Sequence, residues 1–237
     1  MANTRSNKGV WFALIIHLLW WACLTFGMSI EFSWSSPLVY AVILVQTHLY
    51  TGLFITAHDA MHSTVSSNKS LNKAIGTVSA LLFSYNFYNK LNKKHHEHHR
   101  FVTTENDPDY HRGNPGFWAW YFSFVKQYVS IWQVLLMAVS YNILKLWLPN
   151  LNLIFIWMLP AVLSTFQLFY FGTYLPHKGE HSAANDQKSR SQKLNHLMAF
   201  LTCYFFGYHY EHHISPNTPW WQLYQKKEEY ERKGYPS

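Results

Sequence analysis

The chain has 237 residues, of which 19% are aromatic and only 13% charged, with a formal net charge of +7 and two cysteines. Charged residues stand at about half their usual share, so something other than water covers much of the surface, which excludes an ordinary soluble domain. Cys23 and Cys203 both fall in apolar runs, which leaves neither a disulfide framework nor a Cys-type zinc site.

In chain order, a short basic tail (residues 1–9) reads as disordered, and apolar runs 10–30 and 37–57 follow, joined by Glu31-Phe32-Ser33-Trp34-Ser35-Ser36. Each run is long enough to cross a hydrocarbon core of roughly 30 Å. The first lacks a small-residue cleavage site and exceeds a signal h-region, so it reads as retained. A second pair, 128–148 and 151–175, is joined at Pro149-Asn150. The expected fold is therefore all-α and integral to a membrane: one domain over residues 1–237, with four transmembrane helices in two hairpins. The apolar stretch 74–87 is too short to cross and reads as interfacial or re-entrant. Residues 117–128 read as an aromatic interface belt, 183–193 as a linker, 194–207 as a short apolar helix and 225–237 as a solvated tail. Of the 19 Lys and Arg, only Lys145 lies near a hairpin tip. Basic loops stay inside, so both termini and the interfacial helices are expected to form a cytoplasmic cap. His17 and His48 fall at membrane depth, where paired neutral imidazoles are the default and a haem held between them the competing reading.

Three histidine clusters fall in that cap. His58 and His62 are one helical turn apart, and His95, His98 and His99 repeat the spacing of His209, His212 and His213, which puts three imidazoles on one face. Random placement of 15 histidines would give about 0.06 instances of His-x-x-His-His, and the chain has two. Eight imidazoles are twice what one tetrahedral ion takes, so two ions sharing a site fit the count. His177 follows the fourth crossing and arrives at the same depth as a further candidate, where Pro176 is expected to break or end the helix. Asp59, Asp109 and His111 are candidates to hydrogen-bond the ligand imidazoles from outside. Imidazole suits Zn, Cu, Fe and Ni alike, so hydrolysis and oxygen activation both stay open. A membrane-level site implies a hydrophobic substrate from the lipid. The cationic flank Lys90 to Arg100 suits lipid headgroups, and no nucleic-acid partner is expected. No nucleotide or flavin motif is present, so electrons would come from an external donor.

The His58-x3-His62, His95-x2-His98-His99 and His209-x2-His212-His213 pattern on paired crossings resembles the membrane-bound fatty-acid desaturase and hydroxylase superfamily. Within it, Phe54-Ile55-Thr56-Ala57-His58-Asp59-Ala60-Met61-His62, Asp107-Pro108-Asp109-Tyr110-His111, Phe171-Gly172-Thr173-Tyr174-Leu175-Pro176-His177 and Tyr210-Glu211-His212-His213-Ile214-Ser215-Pro216-Asn217-Thr218-Pro219-Trp220-Trp221 are similar to the bacterial-type beta-carotene ketolases. The resemblance implies two iron ions, O2 as co-substrate, a ferredoxin-type donor and oxidation of a beta-ionone ring at C4. It also implies nine ligands: His58, His62, His95, His98, His99, His177, His209, His212 and His213. A carotenoid 3-hydroxylase and a fatty-acid desaturase or hydroxylase are alternatives within the superfamily, and a non-enzymatic membrane metal carrier is one outside it.

Overall fold

The computed structural model describes residues 7–113, 115–193 and 195–235; most of the basic tail, Leu194 at the start of the expected 194–207 helix, and the last two residues of the solvated tail lie outside them. The described residues are helical, with one isolated antiparallel bridge, Ser191 to Tyr208, and no strand. Among the described residues, three helices are long and apolar enough to cross a membrane: α1 (Lys8–Ser29), α2 (Pro37–Met61) and α7 (Asn150–His177). Their outward faces carry Trp11, Leu18, Trp21, Leu44 and Val162, all exposed. That is what a lipid-facing surface requires.

The third expected crossing differs from the sequence expectation over 128–148. Its place is taken by α5 (Phe117–Tyr128) and the 14-residue α6 (Ile131–Leu144), bent by 81° from each other. The cause is local. Val129 is extended, and Ser130 and Gln133 form a capping box that starts a new helix. At 1.5 Å per residue α6 is about 21 Å long, short of the core thickness unless α5 completes it.

α7 holds two prolines, and each is tolerated by a wider π turn before it, Leu153–Met158 before Pro160 and Tyr170–Tyr174 before Pro176. A π turn displaces the carbonyl that the proline ring would otherwise strike. The helix therefore carries through Pro176 and ends at His177, where Lys178 is extended.

Buried polar contacts register these helices. Asn152 donates to the Gly27 and Ile30 carbonyls at the end of α1 (2.7 and 2.9 Å), and the Thr51 and Ser164 hydroxyls meet at 2.8 Å between α2 and α7. The short α3 (Lys69–Leu82) packs on α2 through Gly76, where a Cβ would lie 2.7 Å from that of Ala60. Asn72 donates to the Ala60 carbonyl at 2.7 Å. The chain reverses through Ser84 and Tyr85, both at positive φ, and α4 (Tyr88–Phe101) returns to the end of α2. His17 is held by the Ala13 carbonyl (2.6 Å) and Ser79 (3.2 Å), while His48 stacks on Tyr204 at 4.3 Å, so each has its own neighbours.

Candidate metal centre

Four separate elements deliver the histidines. The last turns of α2 carry His58 and His62, and α4 carries His95, His98 and His99. The end of α7 carries His177, and α9 (His209–Ile214), which follows α8 (His196–Cys203), carries His209, His212 and His213. Six residues are too few for a stable helix, so α9 must be held from outside. The backbone N–H of Gln192 donates to the Gly207 carbonyl (2.8 Å), and that of Trp220 donates to the Asp59 carboxylate on α2 (3.0 Å). The fully buried Glu211 accepts from the Ser191 hydroxyl and lies 4.0 Å from Lys227 of α10 (Leu223–Arg232). Gly172 leaves room for the Phe206 ring, which lies edge-on to His58 at 4.8 Å and to His209 at 5.2 Å.

The imidazoles fall into two groups. In each, four histidines bring ligand atoms within 4.8 Å of one another: His58, His62, His95 and His212 in one, and His98, His177, His209 and His213 in the other. His99 adjoins the first, with its Nε2 3.1 Å from that of His95 and 2.9 Å from that of His212. Further Nε2 pairs lie 3.2 Å apart (His58 and His212), 3.1 Å apart (His98 and His213) and 3.0 Å apart (His209 and His213). Imidazoles about 2.0–2.1 Å from one ion have ligand atoms separated by roughly 2.9–3.4 Å, so these spacings fit coordination polyhedra, while the Nε2 atoms of His62 and His95, 2.6 Å apart, sit closer than two ligands of one ion. The outward contacts agree. His98 Nδ1 donates to Asp107 (2.8 Å) and His177 Nδ1 to the Lys188 carbonyl (2.8 Å), acceptors that fix the tautomer and turn Nε2 inward. His177 Nε2 is buried there without a hydrogen-bond partner, as expected of an atom whose lone pair serves a cation.

Burial, reinforced by neighbouring imidazoles, lowers the pKa of His95, His209, His212 and His213, takes His62 down to about 4 and His99 to about 2. They stay neutral, as ligation requires. His98 is the exception. Burial works against its charge, but Asp109 and Asp107 more than offset this and raise its pKa.

Asp59 Oδ1 stands 3.6 Å from His58 Nδ1, beyond a good hydrogen bond, while its other oxygen takes the Trp220 amide. Asp109 lies 4.0 Å from His98 and accepts from the Tyr128 hydroxyl. His111 is half-buried and lies in none of the groups of converging ligand atoms. Four contributors went unread in the sequence: Asp107, Glu211, Tyr128 and the Lys188 carbonyl. Only Asp107 had a signal, since it shares the acidic loop with Asp109. Beside His95, a slot of about 30 Å³ is lined by Phe54, Phe206, Asp109, Tyr128 and Thr173, room for one water.

The profile of the fatty acid desaturase family matches residues 33–131 and 126–237. The beta-carotene 4-ketolase 3 of Haematococcus lacustris is 39% identical over 91% of this chain and 74% of its own length. The zeaxanthin 4-ketolase of Chlamydomonas reinhardtii is 40% identical over 90% of this chain and 50% of its own. A beta-carotene ketolase of a Paracoccus species is 38% identical, covering 90% and 86%. With matches that run nearly end to end and carry all three histidine clusters, the chain belongs to the fatty acid desaturase family, among its beta-carotene ketolase relatives.

Proposed function

We propose that the chain is a beta-carotene 4-ketolase, a membrane di-iron oxygenase that converts beta-carotene through echinenone to canthaxanthin. The observation that carries this is the convergence of nine imidazoles into two adjoining groups in a chain 38–40% identical to ketolases. His58, His62, His95, His99 and His212 would hold one ion, and His98, His177, His209 and His213 the other. When bound, the iron pair supplies O2 activation for C–H hydroxylation. At one ring carbon, CH2 with two O2, four electrons and four protons gives C=O and three waters, the last water leaving from a geminal diol.

The protein's own groups orient and exclude. Asp107 and the Lys188 carbonyl fix two imidazoles, while Phe54 and Phe206 keep bulk water from the slot. Asp59 and Asp109 are proposed as supporting carboxylates, with His111 at the edge of the same acidic loop as Asp109. In the membrane, α1, α2, α7 and the bent α5 and α6 would make four crossings. The preponderance of Lys and Arg away from the hairpin tips supports a cytoplasmic centre and termini. Lys90, Lys93, Lys94 and Arg100 on α4 suit an acidic ferredoxin-type donor.

The test is expression in cells that make beta-carotene. Echinenone and canthaxanthin should accumulate and redden the pigment. Unchanged beta-carotene beside protein holding two iron ions overturns the assignment, and a 3-hydroxylated product replaces it with the hydroxylase.

A further inference from the structure

The apolar helix α8 starts near the metal centre, where His196 Nδ1 and the Tyr208 hydroxyl are 2.8 Å apart, Tyr208 being the residue before His209. Its other end lies inside the bundle. Tyr204 stacks on His48, and a Cβ at Gly52 would lie 2.7 Å from the Tyr204 hydroxyl. His48 and Gly52 precede His58 on α2 by ten and six residues. At 1.5 Å per residue the tip of α8 is therefore about 9–15 Å from the His58 level. Leu197, Met198 and Leu201 are exposed along the way, as a lipid-facing surface requires. α8 thus dips among the crossing helices from the ligand side and turns back.

A reversal at that depth must satisfy its own backbone, because hydrocarbon offers no hydrogen bonds. The turn does part of this. The backbone N–H groups of Phe205, Tyr204 and Phe206 donate to the carbonyls of Ala199 (3.0 Å), Phe200 (2.8 Å) and Cys203 (2.8 Å), with Tyr204 and Phe205 at φ of 50° and 61°. The Thr202 carbonyl takes its donor from another helix, the Gln167 Nε2 of α7. Gln167 is held in turn. Its Oε1 accepts from the Thr51 hydroxyl of α2 at 2.6 Å, and Thr51 meets Ser164 at 2.8 Å. Gln167 lies within an apolar crossing, ten residues before His177, where a polar side chain ordinarily has a partner and a task. From the tip, Tyr204 to Tyr208 lead straight into α9, and Phe206 among them lies edge-on to His58 and His209.

We propose that Gln167 is a positioning residue for the metal centre: by tying the Thr202 carbonyl to α2 and α7, it fixes where the chain turns back, and so where Phe206 and α9 stand against His58. The inference rests on the metal-centre reading of the histidines and adds what aims the third cluster. α2 and α7 deliver His58, His62 and His177 on continuous helices, which need no such tie. α9 has six residues and reaches the centre through the return from α8. Without the tie, the Thr202 carbonyl is unpaired at membrane depth, and the turn shifts to find another donor. His209, His212 and His213 then move together. Because His212 belongs to one group and His209 and His213 to the other, both ions feel the change.

The test compares two changes in one network. Gln167→Met keeps the length of the side chain and removes both of its hydrogen bonds, whereas Ser164→Ala removes only a hydroxyl bonded to Thr51. Amide exchange across residues 199–208 is followed in the purified protein, and the visible spectrum after loading with cobalt(II) reports ligand geometry. Gln167→Met should speed exchange by about 10-fold and alter the cobalt bands, while Ser164→Ala should change exchange by less than about 2-fold and keep the bands. Gln167→Glu, held protonated at membrane depth and so still a donor to the carbonyl, should return both readings toward wild type. Should Gln167→Met not fold, Gln167→Asn, which keeps the amide but falls short of the carbonyl, takes its place with the same expectation. Cobalt bands unchanged at position 167, altered equally by Ser164→Ala, or not restored by Gln167→Glu overturn the positioning role. Wild-type protein that takes up no cobalt overturns the metal-centre reading itself, and this role with it.

Discussion

The two halves of the histidine centre differ less in their ligands than in what stands behind them. In the half built from His98, His177, His209 and His213, two imidazoles lean on outer acceptors at 2.8 Å, Asp107 and the Lys188 carbonyl. Asp107 is itself pinned by the amides of Thr103 (2.8 Å) and Asp109 (2.9 Å). In the half built from His58, His62, His95, His99 and His212, no carboxylate of the described residues comes within hydrogen-bond distance; the nearest is Asp59 at 3.6 Å. One half is aimed by hydrogen bonds and the other by the packing of α2, α4 and α9. Hydrogen bonds to a ligand are directional and packing is not, so the first should be more easily broken by a single polar change.

Removing a ligand gives the largest effect. His98→Ala leaves three imidazoles in its half and strips Asp107 of its partner. Iron should fall from two ions per chain toward one, and ketone formation by more than about 100-fold, beyond the usual cost of an outer contact. His62→Ala leaves four imidazoles in its half and should cost less of both; equal losses would erase the asymmetry.

Acid separates the halves next. His98 has a raised pKa, so without metal its charged form favours the fold below the unfolded value near 6.5, and that contribution is lost as pH climbs through the raised value. His62, lowered to about 4, works the other way: its neutral form favours the fold above about 6.5, and this is lost as pH falls from there toward 4. Protons therefore compete for His98 first. Iron retained after dialysis at stepwise lower pH should leave in two stages, the His98 half before the His62 half. A single stage would mean the carboxylates behind His98 do not set its affinity.

The histidines that converge were legible as clusters because their spacing is local: i, i+3 and i, i+4 pairs declare a shared face wherever the helix ends up. α1, α2 and α7 were legible for a similar reason, being long apolar runs. The bend within the third expected crossing was not read because composition smooths over a break. Yet Ser130-Ile131-Trp132-Gln133 is a helix-start pattern in plain view. Asp109 was singled out and Asp107 passed over, since two carboxylates two residues apart look alike until the fold turns Asp107 toward His98.

Charge behind the ligands supplies the finest comparison. Asp107→Asn keeps the size of the side chain but weakens the acceptor for His98, and should cost about 10–100-fold in affinity for one ion. Iron titration would show one tight and one weakened site. Asp59→Asn should cost much less. Its hydrogen bond runs to the Trp220 amide, which an Asn oxygen still accepts, and its distance from His58 is too long for a directional contact. Both sites should therefore stay tight and ketone formation fall by less than about 10-fold, the lower bound for an outer-shell change. A loss matching that of Asp107→Asn would place Asp59 as the missing anchor of the His58 half, and the contrast between the two halves would vanish.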